Sequence, residues 1–292
     1  MALPFDHRRL RRAFARAAAG YDAASALPGE VRTRLLESLA YLEDRAPAVV
    51  LDVGSGTGHA AAAMKKRWPK AQVVALDVAM PMLRASAPQA GWWRPFVRVC
   101  ADARALPLAA GSVDVVFANL CLPWVEDLAA TFAGFRRVLR PGGLLLCSSF
   151  GPETLWELRE AFAGDAPPPP LPFTAIAPFG DALVAAGFRD PVLDCDRFTL
   201  TYPDLPALLR ELRAIGMVDP LAGRRRGLLG RGRFAAATAA YDRMRDDAGR
   251  LPSTWEVVYA QAWAPAPGAP IREGGHDVAS VPLAQIPIRR RT

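Results

Sequence analysis

The chain has 292 residues, 51% of them hydrophobic and 22% charged, which is enough apolar material for one large α/β core with a smaller appended lobe. No run of about 18 apolar residues occurs, and MALPFDHRRLRR carries charge where a secretory leader needs its apolar stretch, so a cytoplasmic protein without membrane association is expected. The four cysteines (Cys100, Cys121, Cys147, Cys195) show no C-x-x-C spacing and argue against a metal knot or disulfide framework, while the formal charge of +7 allows a polyanionic partner without choosing its class.

Two helical stretches come first, His7–Ala19 and Glu30–Glu43, the second with Leu35, Leu36, Leu39 and Leu42 at helical spacing. A strand–helix alternation follows. Short apolar runs at Ala48–Val53, Gln72–Leu76, Phe96–Cys100, Val113–Ala118 and Leu144–Ser148 read as buried parallel strands. Helical patterns such as Gly58–Arg67 and Asp127–Leu139 separate them, and RPGG at Arg140–Gly143 reads as the turn that leads into the fifth strand. Beyond Phe150 come a helix at Glu153–Phe162, a proline run Pro167–Pro170, and a helix near Gly180–Ala186. Val192–Leu200 and Trp255–Trp263 complete a seven-stranded, mostly parallel sheet of the doubly wound α/β kind, with a helical, Gly/Arg-rich insert between them. The expected organisation is a helical lid over residues 1–45, a catalytic domain over 46–264 with inserts at about 151–178 and 203–252, and a solvated or weakly docked tail over 265–292.

Val49–Ala60 reads VVLDVGSGTGHA: an apolar strand ending in an acid, then glycines at alternate positions, then a helix. Gly54, Gly56 and Gly58, with Ser55 between them, let the backbone turn sharply and admit a ligand to main-chain atoms. The G-x-G-x-G spacing differs from the G-x-G-x-x-G that seats a pyrophosphate on a helix N-terminus. Asp52 beside the loop would repel a pyrophosphate and favour the ammonium and sulfonium of S-adenosylmethionine (SAM). Asp77 closes the second strand and is placed to accept from both ribose hydroxyls, with Val78 and Met82 packing on the adenine. Asp102, followed by Ala103, ends the third strand and can accept from the adenine amino group, and Asn119 and Leu120 at the end of the fourth would line the methionine end. Any one of these acids alone commonly caps a turn; acids at three consecutive strand ends form a cofactor constellation. His59, inside the loop, reads as structural.

With these motifs the chain resembles SAM-dependent methyltransferases of the class I Rossmann-like fold. RRAFARAAAGYDAAS (Arg11–Ser25), FANLCLPWVEDL (Phe117–Leu128), SSFGPETLWELREAF (Ser148–Phe162), LTYPDLPALLRELRAIG (Leu200–Gly216) and LPSTWEVVYAQAW (Leu251–Trp263) extend the resemblance to the malonyl-acyl-carrier-protein O-methyltransferases of biotin synthesis, the BioC family, up to about residue 264. Pro123 departs from the family, which usually has glutamine before the tryptophan. Mitochondrial complex I assembly factors share FG-x-x-TL-x-ELR and the C-terminal pattern.

The resemblance implies methyl transfer from SAM, leaving S-adenosylhomocysteine, to the free carboxylate of malonyl-acyl carrier protein or malonyl-CoA. It also implies that Tyr21, in a segment that folds over the cofactor in relatives, orients the substrate. Arg159 and Arg213, in the family-specific helices, are the candidates to hold the substrate carboxylate, because a guanidinium grips both oxygens. Arg224, Arg225, Arg226, Arg231 and Arg233 are the candidates for a basic lip facing the carrier protein. A methyltransferase acting on a small carboxylic acid, and an assembly-factor-like protein that reuses the fold, remain alternatives. No N/D-P-P-aromatic motif follows the fourth strand, so nucleic acid is not expected as substrate, and a monomer is expected.

Overall fold

A computed structural model describes residues 5–42, 45–91, 95–163, 173–218, 230–266, 271–273 and 276–278. Three helices open the chain: α1 (His7–Ala17), α2 (Tyr21–Ala24) and α3 (Ala26–Glu37), the last running into a 3-10 turn at Ser38–Leu42. The alternation then runs β1 (Val49–Val53), α4 (His59–Arg67), β2 (Gln72–Asp77), α5 (Met80–Ala85), α6 (Ala87–Ala90), β3 (Val97–Cys100), β4 (Val113–Ala118), α7 (Leu128–Val138) and β5 (Leu139–Phe150). The second half supplies α8 (Trp156–Ala163), α9 (Ile176–Ala185), β6 (Arg189–Tyr202), α10 (Leu205–Ala214), α11 (Arg231–Asp242) and β7 (Leu251–Trp263).

The sheet has seven strands in the order β3-β2-β1-β4-β5-β7-β6. β1 to β5 are mutually parallel, and β7 inserts antiparallel between β5 and β6. The chain leaves β1 toward β2 on one side and returns to β4 on the other. That reversal opens a crevice at the carboxyl ends of β1 and β4, where ligands of doubly wound sheets bind. Both faces of the central strands β1, β2, β4 and β5 are buried, while the edge strands β3 and β6 are partly exposed. Phe132, Phe135 and Phe179 of α7 and α9 cover one face, and Leu35, Leu39 and Met64 of α3, its 3-10 turn and α4 cover the other. A third cluster around Trp255, Tyr241 and Leu208 lies under α10 and α11 beside the crevice.

Several expected boundaries move, each for a physical reason. α3 begins at Ala26 and not at Glu30, because Pro28 falls in its first turn, where a missing N–H costs nothing. The expected turn at Arg140–Gly143 lies inside β5. Leu139 already pairs with Val113, the chain steps aside, and the register resumes at Leu144 opposite Val115. Gly142 at φ 73° makes that step, and its N–H and the Gly143 carbonyl both bond to Ala264 on the incoming tail. β6 and β7 are longer than expected, since they pair with each other from Arg189↔Trp263 to Tyr202↔Leu251. Within the tail, β8 (Ile271–Glu273) and β9 (His276–Val278) form a two-stranded antiparallel pair. Among the described residues no helix is long and apolar enough to cross a membrane, and no cluster of His, Cys, Asp and Glu could hold a metal.

Candidate active site

The glycine loop after β1 is held by main-chain bonds. Ser55 N–H donates to the Leu76 carbonyl at 3.0 Å and Gly58 N–H to the Ser55 carbonyl at 2.9 Å. Gly54, Gly56 and Gly58 have φ of 68°, 52° and 83°, all in the left-handed region that side chains resist. Each glycine does different work. A Cβ on Gly54 would lie 2.7 Å from the Cβ of Cys121, and one on Gly58 would lie 2.8 Å from Phe96 and from Ser86. At Gly56 a Cβ would meet nothing within 4 Å, because that position faces the open cleft.

Asp77 ties this loop to the end of β2. Its Oδ2 accepts from Gly56 N–H at 3.0 Å and its Oδ1 from Ala79 N–H at 2.7 Å. Burial pushes the carboxyl up to about 6 even though these donors pull it down. Each carboxylate oxygen has two lone-pair directions, so each keeps one for a ligand hydroxyl.

The cleft beyond the loop spans about 810 Å³, part of it open to solvent. Of the residues singled out from the sequence, Gly54, Gly56, Asp77, Val78, Met82 and Asp102 form part of its wall, as do Ala103, Asn119, Leu120 and Tyr21. Val78 is 36% exposed although apolar, which leaves its side chain available to stack on a flat ligand. These features fit SAM: an open glycine position for close approach, carboxylate lone pairs for a ribose diol, and an apolar slot beside them.

Other expected residues sit elsewhere. Asp52 is 1% exposed and is not part of the wall; its Oδ2 has no partner among the described residues, and burial pushes the carboxyl up to about 7. Ser55 and Gly58 are likewise not part of the wall. Asp102 was expected to hold an adenine amino group, yet both its oxygens are engaged by Arg104, at 2.9 Å and 3.0 Å on Oδ1 and 2.7 Å on Oδ2. The Arg104 guanidinium holds that carboxyl below the usual carboxylate range. Asn119 donates to the Pro28 carbonyl at 3.1 Å and accepts from Ser148 Oγ at 3.0 Å, which ties α3 to the end of β4. Leu120 holds φ 50°, a strained conformation costing about 1–3 kcal/mol, with its N–H on Ser148 Oγ at 2.9 Å. Arg159 is half-buried with an unpartnered Nε, Arg213 and Arg231 are exposed, and none of the three is part of the wall. Arg224, Arg225 and Arg226 lie outside the described residues.

Sequence reasoning expected a lid over residues 1–45 and Tyr21 within it, but named none of the α1 side chains that line the cleft. His7, Leu10, Arg11 and Phe14 of α1 line the cleft opposite the loop, together with Trp124, whose ring meets Phe14 edge-on at 5.4 Å. His7 Nε2 lies 3.1 Å from Glu126 Oε1 and 2.6 Å from Arg104 Nη1, which continues the Asp102–Arg104 pair across the mouth. On α2, Asp22 accepts from Thr57 Oγ1 at 2.6 Å and pairs with His59 Nε2 at 3.1 Å, latching the lid to the glycine loop. His59 thus has the structural place expected of it. Cys121 also lines the wall, and burial pushes its thiol far up, so it stays protonated.

The sheet order, the glycine loop and the acid at the end of β2 define a class I SAM-dependent methyltransferase, and a family model described as a methyltransferase domain matches residues 51–147. Solved structures share the fold: the YcgJ protein of Bacillus subtilis (TM-score 0.55, 14% identity, 80% of this chain and 98% of that one). Another is phosphoethanolamine N-methyltransferase 2 of Haemonchus contortus (TM-score 0.50, 18% identity, 79% of this chain and 52% of that one), solved with S-adenosylhomocysteine.

Much closer in sequence is the malonyl-[acyl-carrier protein] O-methyltransferase of Xylella fastidiosa strain M23, 60% identical over 98% of both chains. The relatives of that name from Laribacter hongkongensis (49% identity, 89% of this chain, 90% of the relative) and Halorhodospira halophila (42%, 99% and 98%) match almost as completely. The chain belongs to the malonyl-[acyl-carrier protein] O-methyltransferase family.

Proposed function

We propose that this protein methylates the free carboxylate of malonyl-acyl carrier protein, giving the methyl ester that enters chain elongation toward pimelate and biotin. The observation that carries the reading is the 60% identity to a malonyl-[acyl-carrier protein] O-methyltransferase along nearly all of both chains. SAM supplies an electrophilic methyl group when bound. A malonyl carboxylate has a pKa near that of Asp, about 3.9, and is ionised at neutral pH, so the chain need not remove a proton.

The work left to the protein is positioning and exclusion of water. A carboxylate and a sulfonium neutralise each other as the methyl moves, so water would favour the separated charges over the reacting pair. Leu10, Phe14, Met82, Leu120 and Trp124 keep the wall largely apolar. In-line positioning in such a site can supply on the order of 7–11 kcal/mol. Tyr21 orients the substrate: burial pushes its phenol up to about 12, so it stays protonated and donates, and its hydroxyl bonds to no described residue. For the malonyl carboxylate, Arg11 is placed in the wall itself, and Arg159 keeps a buried Nε without a partner. Arg213, exposed on α10, has less to support it.

The test is transfer of labelled methyl from SAM to malonyl-acyl carrier protein, malonyl-CoA and free malonate, with rescue of a biotin-requiring strain blocked at malonyl methylation. Transfer to the carrier-bound thioester and rescue are expected. SAM binding without transfer to any malonyl thioester would overturn the reading in favour of an assembly-factor-like role, and transfer to free acids alone would favour a small-molecule enzyme.

A further inference from the structure

α1 reads HRRLRRAFARA and holds five arginines in eleven residues. A helix advances about 100° per residue, so Leu10, Ala13 and Ala17 share one side, which is the buried one. His7, Arg11 and Phe14 flank that side and face the cleft. Arg8, Arg12 and Arg16 fall on the outer arc, Arg9 flanks the buried side, and together with Asp6 they line a surface depression.

The arc is not neutralised from within. Asp6 is engaged as the helix N-cap, accepting from Arg9 N–H at 3.0 Å. Among the described residues, no side chain bonds to or ion-pairs with the guanidinium of Arg8, Arg9, Arg12 or Arg16, and the Nε of Arg9 is buried without a partner. Arg34, Arg104, Arg140 and Arg245, by comparison, each pair with a carboxylate. Like charges at i,i+4, as in Arg8/Arg12 and Arg12/Arg16, oppose the helix, and cations in its first turn oppose its dipole. The charge therefore works against the element that carries it, and an anionic partner would relieve it.

We propose that this outer arc of α1 is the docking surface for the acidic helical face of the carrier protein. α1 is both the outer basic stripe and the inner wall of the cleft, so a carrier seated on Arg8, Arg12 and Arg16 has its thioester arm one helix-width from the mouth, passing over Arg11 and Phe14. The inference rests on the proposed function and deepens it by naming the surface. It names a surface separate from the lip expected at Arg224–Arg226, which lies outside the described residues. Steering by such a stripe acts on encounter rate and is screened over about 8 Å at physiological ionic strength.

The test reverses Arg8, Arg12 and Arg16 to glutamate, with a glutamine triple in parallel, and leaves Arg11 intact. Measured are SAM affinity, turnover of malonyl-CoA, turnover of malonyl-acyl carrier protein across a salt series, and binding of fluorescently labelled holo-carrier protein. Expected is a fall of about tenfold or more in kcat/KM and affinity for the carrier protein, with a flatter salt dependence, while malonyl-CoA turnover stays within about twofold. The glutamine triple should lie between. An unchanged kcat/KM for the carrier protein, or equal losses on both substrates in the glutamine triple, overturns the surface while leaving the proposed reaction standing. A wild type that binds the carrier through this stripe without methylating it supports the surface and overturns the reaction; one that neither binds nor methylates it overturns both. Binding of wild type to a short DNA duplex or to phosphatidylglycerol vesicles, lost in the triple variant while carrier binding is retained, also overturns it.

Discussion

The floor and the roof of the cleft are held by different forces. The floor is the glycine loop between β1 and α4, fixed by main-chain bonds and by strands whose side chains Val50, Leu51 and Val53 are wholly buried. The roof is α1 and α2, latched by side chains that water can reach: Asp22 to Thr57 and His59, and His7 to Glu126 and Arg104, whereas α3 belongs to the core through Val31 and Leu35. Local opening free energy follows buried contact and protected hydrogen bonds. The floor is thus preorganised for the cofactor, while the roof can open to admit it at small cost.

The comparison breaks most severely at Gly58. Alanine there must hold φ 83° and place its Cβ 2.8 Å from both Phe96 and Ser86. Overpacking costs about 1–3 kcal/mol and left-handed backbone about 1–2 more, so a destabilisation of roughly 2–4 kcal/mol is expected in urea unfolding. Gly56→Ala, with nothing within 4 Å, should lose SAM affinity more than stability. If the two variants unfold at the same urea concentration, the loop is compliant and the floor is not the rigid half.

Next in size is Asp77. Replacement by alanine removes a charged acceptor for two hydroxyls, worth about 1.5–3 kcal/mol, so SAM affinity should fall tenfold or more. The free carboxyl titrates near 6 because of burial, and ribose hydroxyls bind its ionised form. Binding therefore lowers that pKa, and affinity rises as pH climbs through the free value. Between pH 5 and pH 7 the ionised fraction grows roughly tenfold, and calorimetric affinity should follow it. In Asp77→Asn the slope should vanish; a wild-type affinity flat across that range would show that Asp77 is not a ligand.

The contrast also explains what could be read from the sequence. Apolar runs and alternate glycines are local signals, so the parallel strands and the loop were legible within a few residues. The β5 step was not, because RPGG looks like a turn and only its partners Val113, Val115 and Ala264 reveal a strand passing through it. Asp102 was legible as an acid at a strand end. Its pairing with Arg104, two residues on, was equally local and was overlooked, although Oδ2, with one donor, keeps a direction open toward the cleft. The contacts of the roof were illegible for a different reason. His7 meets Glu126, and Asp22 meets Thr57 and His59, across sequence separations that no periodicity encodes. The buried carboxylate of Glu157, which accepts from Thr254 N–H at 3.0 Å to seat α8 on β7, was missed on the same grounds.

Tyr21 joins the two halves, since it hangs from the roof and packs beside Met82 of the floor. Tyr21→Phe keeps the packing and removes only the donor. A neutral hydrogen bond is worth about 0.5–1.5 kcal/mol, so kcat/KM for the malonyl thioester should fall roughly 2–10-fold with SAM affinity unchanged. Wild-type values for both steady-state constants would make Tyr21 a packing residue only.

The smallest effect separates roof from floor most cleanly. Asp22 carries both latches of α2, yet its side chain is 50% exposed, so solvent screening limits each contact to a few tenths of a kcal/mol, at most about 1. Asp22→Ala should leave urea unfolding nearly unchanged, because global stability resides in the sheet and its covering helices. Opening of α2 is a separate, local event, and its equilibrium shifts by the full value of the lost contacts. Hydrogen exchange at the α2 and early α3 amides should therefore accelerate about 2–5-fold while exchange in β1 and β4 stays as in wild type. SAM dissociation should quicken by a similar factor, since the roof must lift before the ligand leaves. Thr57→Val, which removes one latch and keeps the His59 pair, should give an intermediate acceleration. Faster exchange in β1 as well would mean that roof and floor open together, and the division drawn between them would fail.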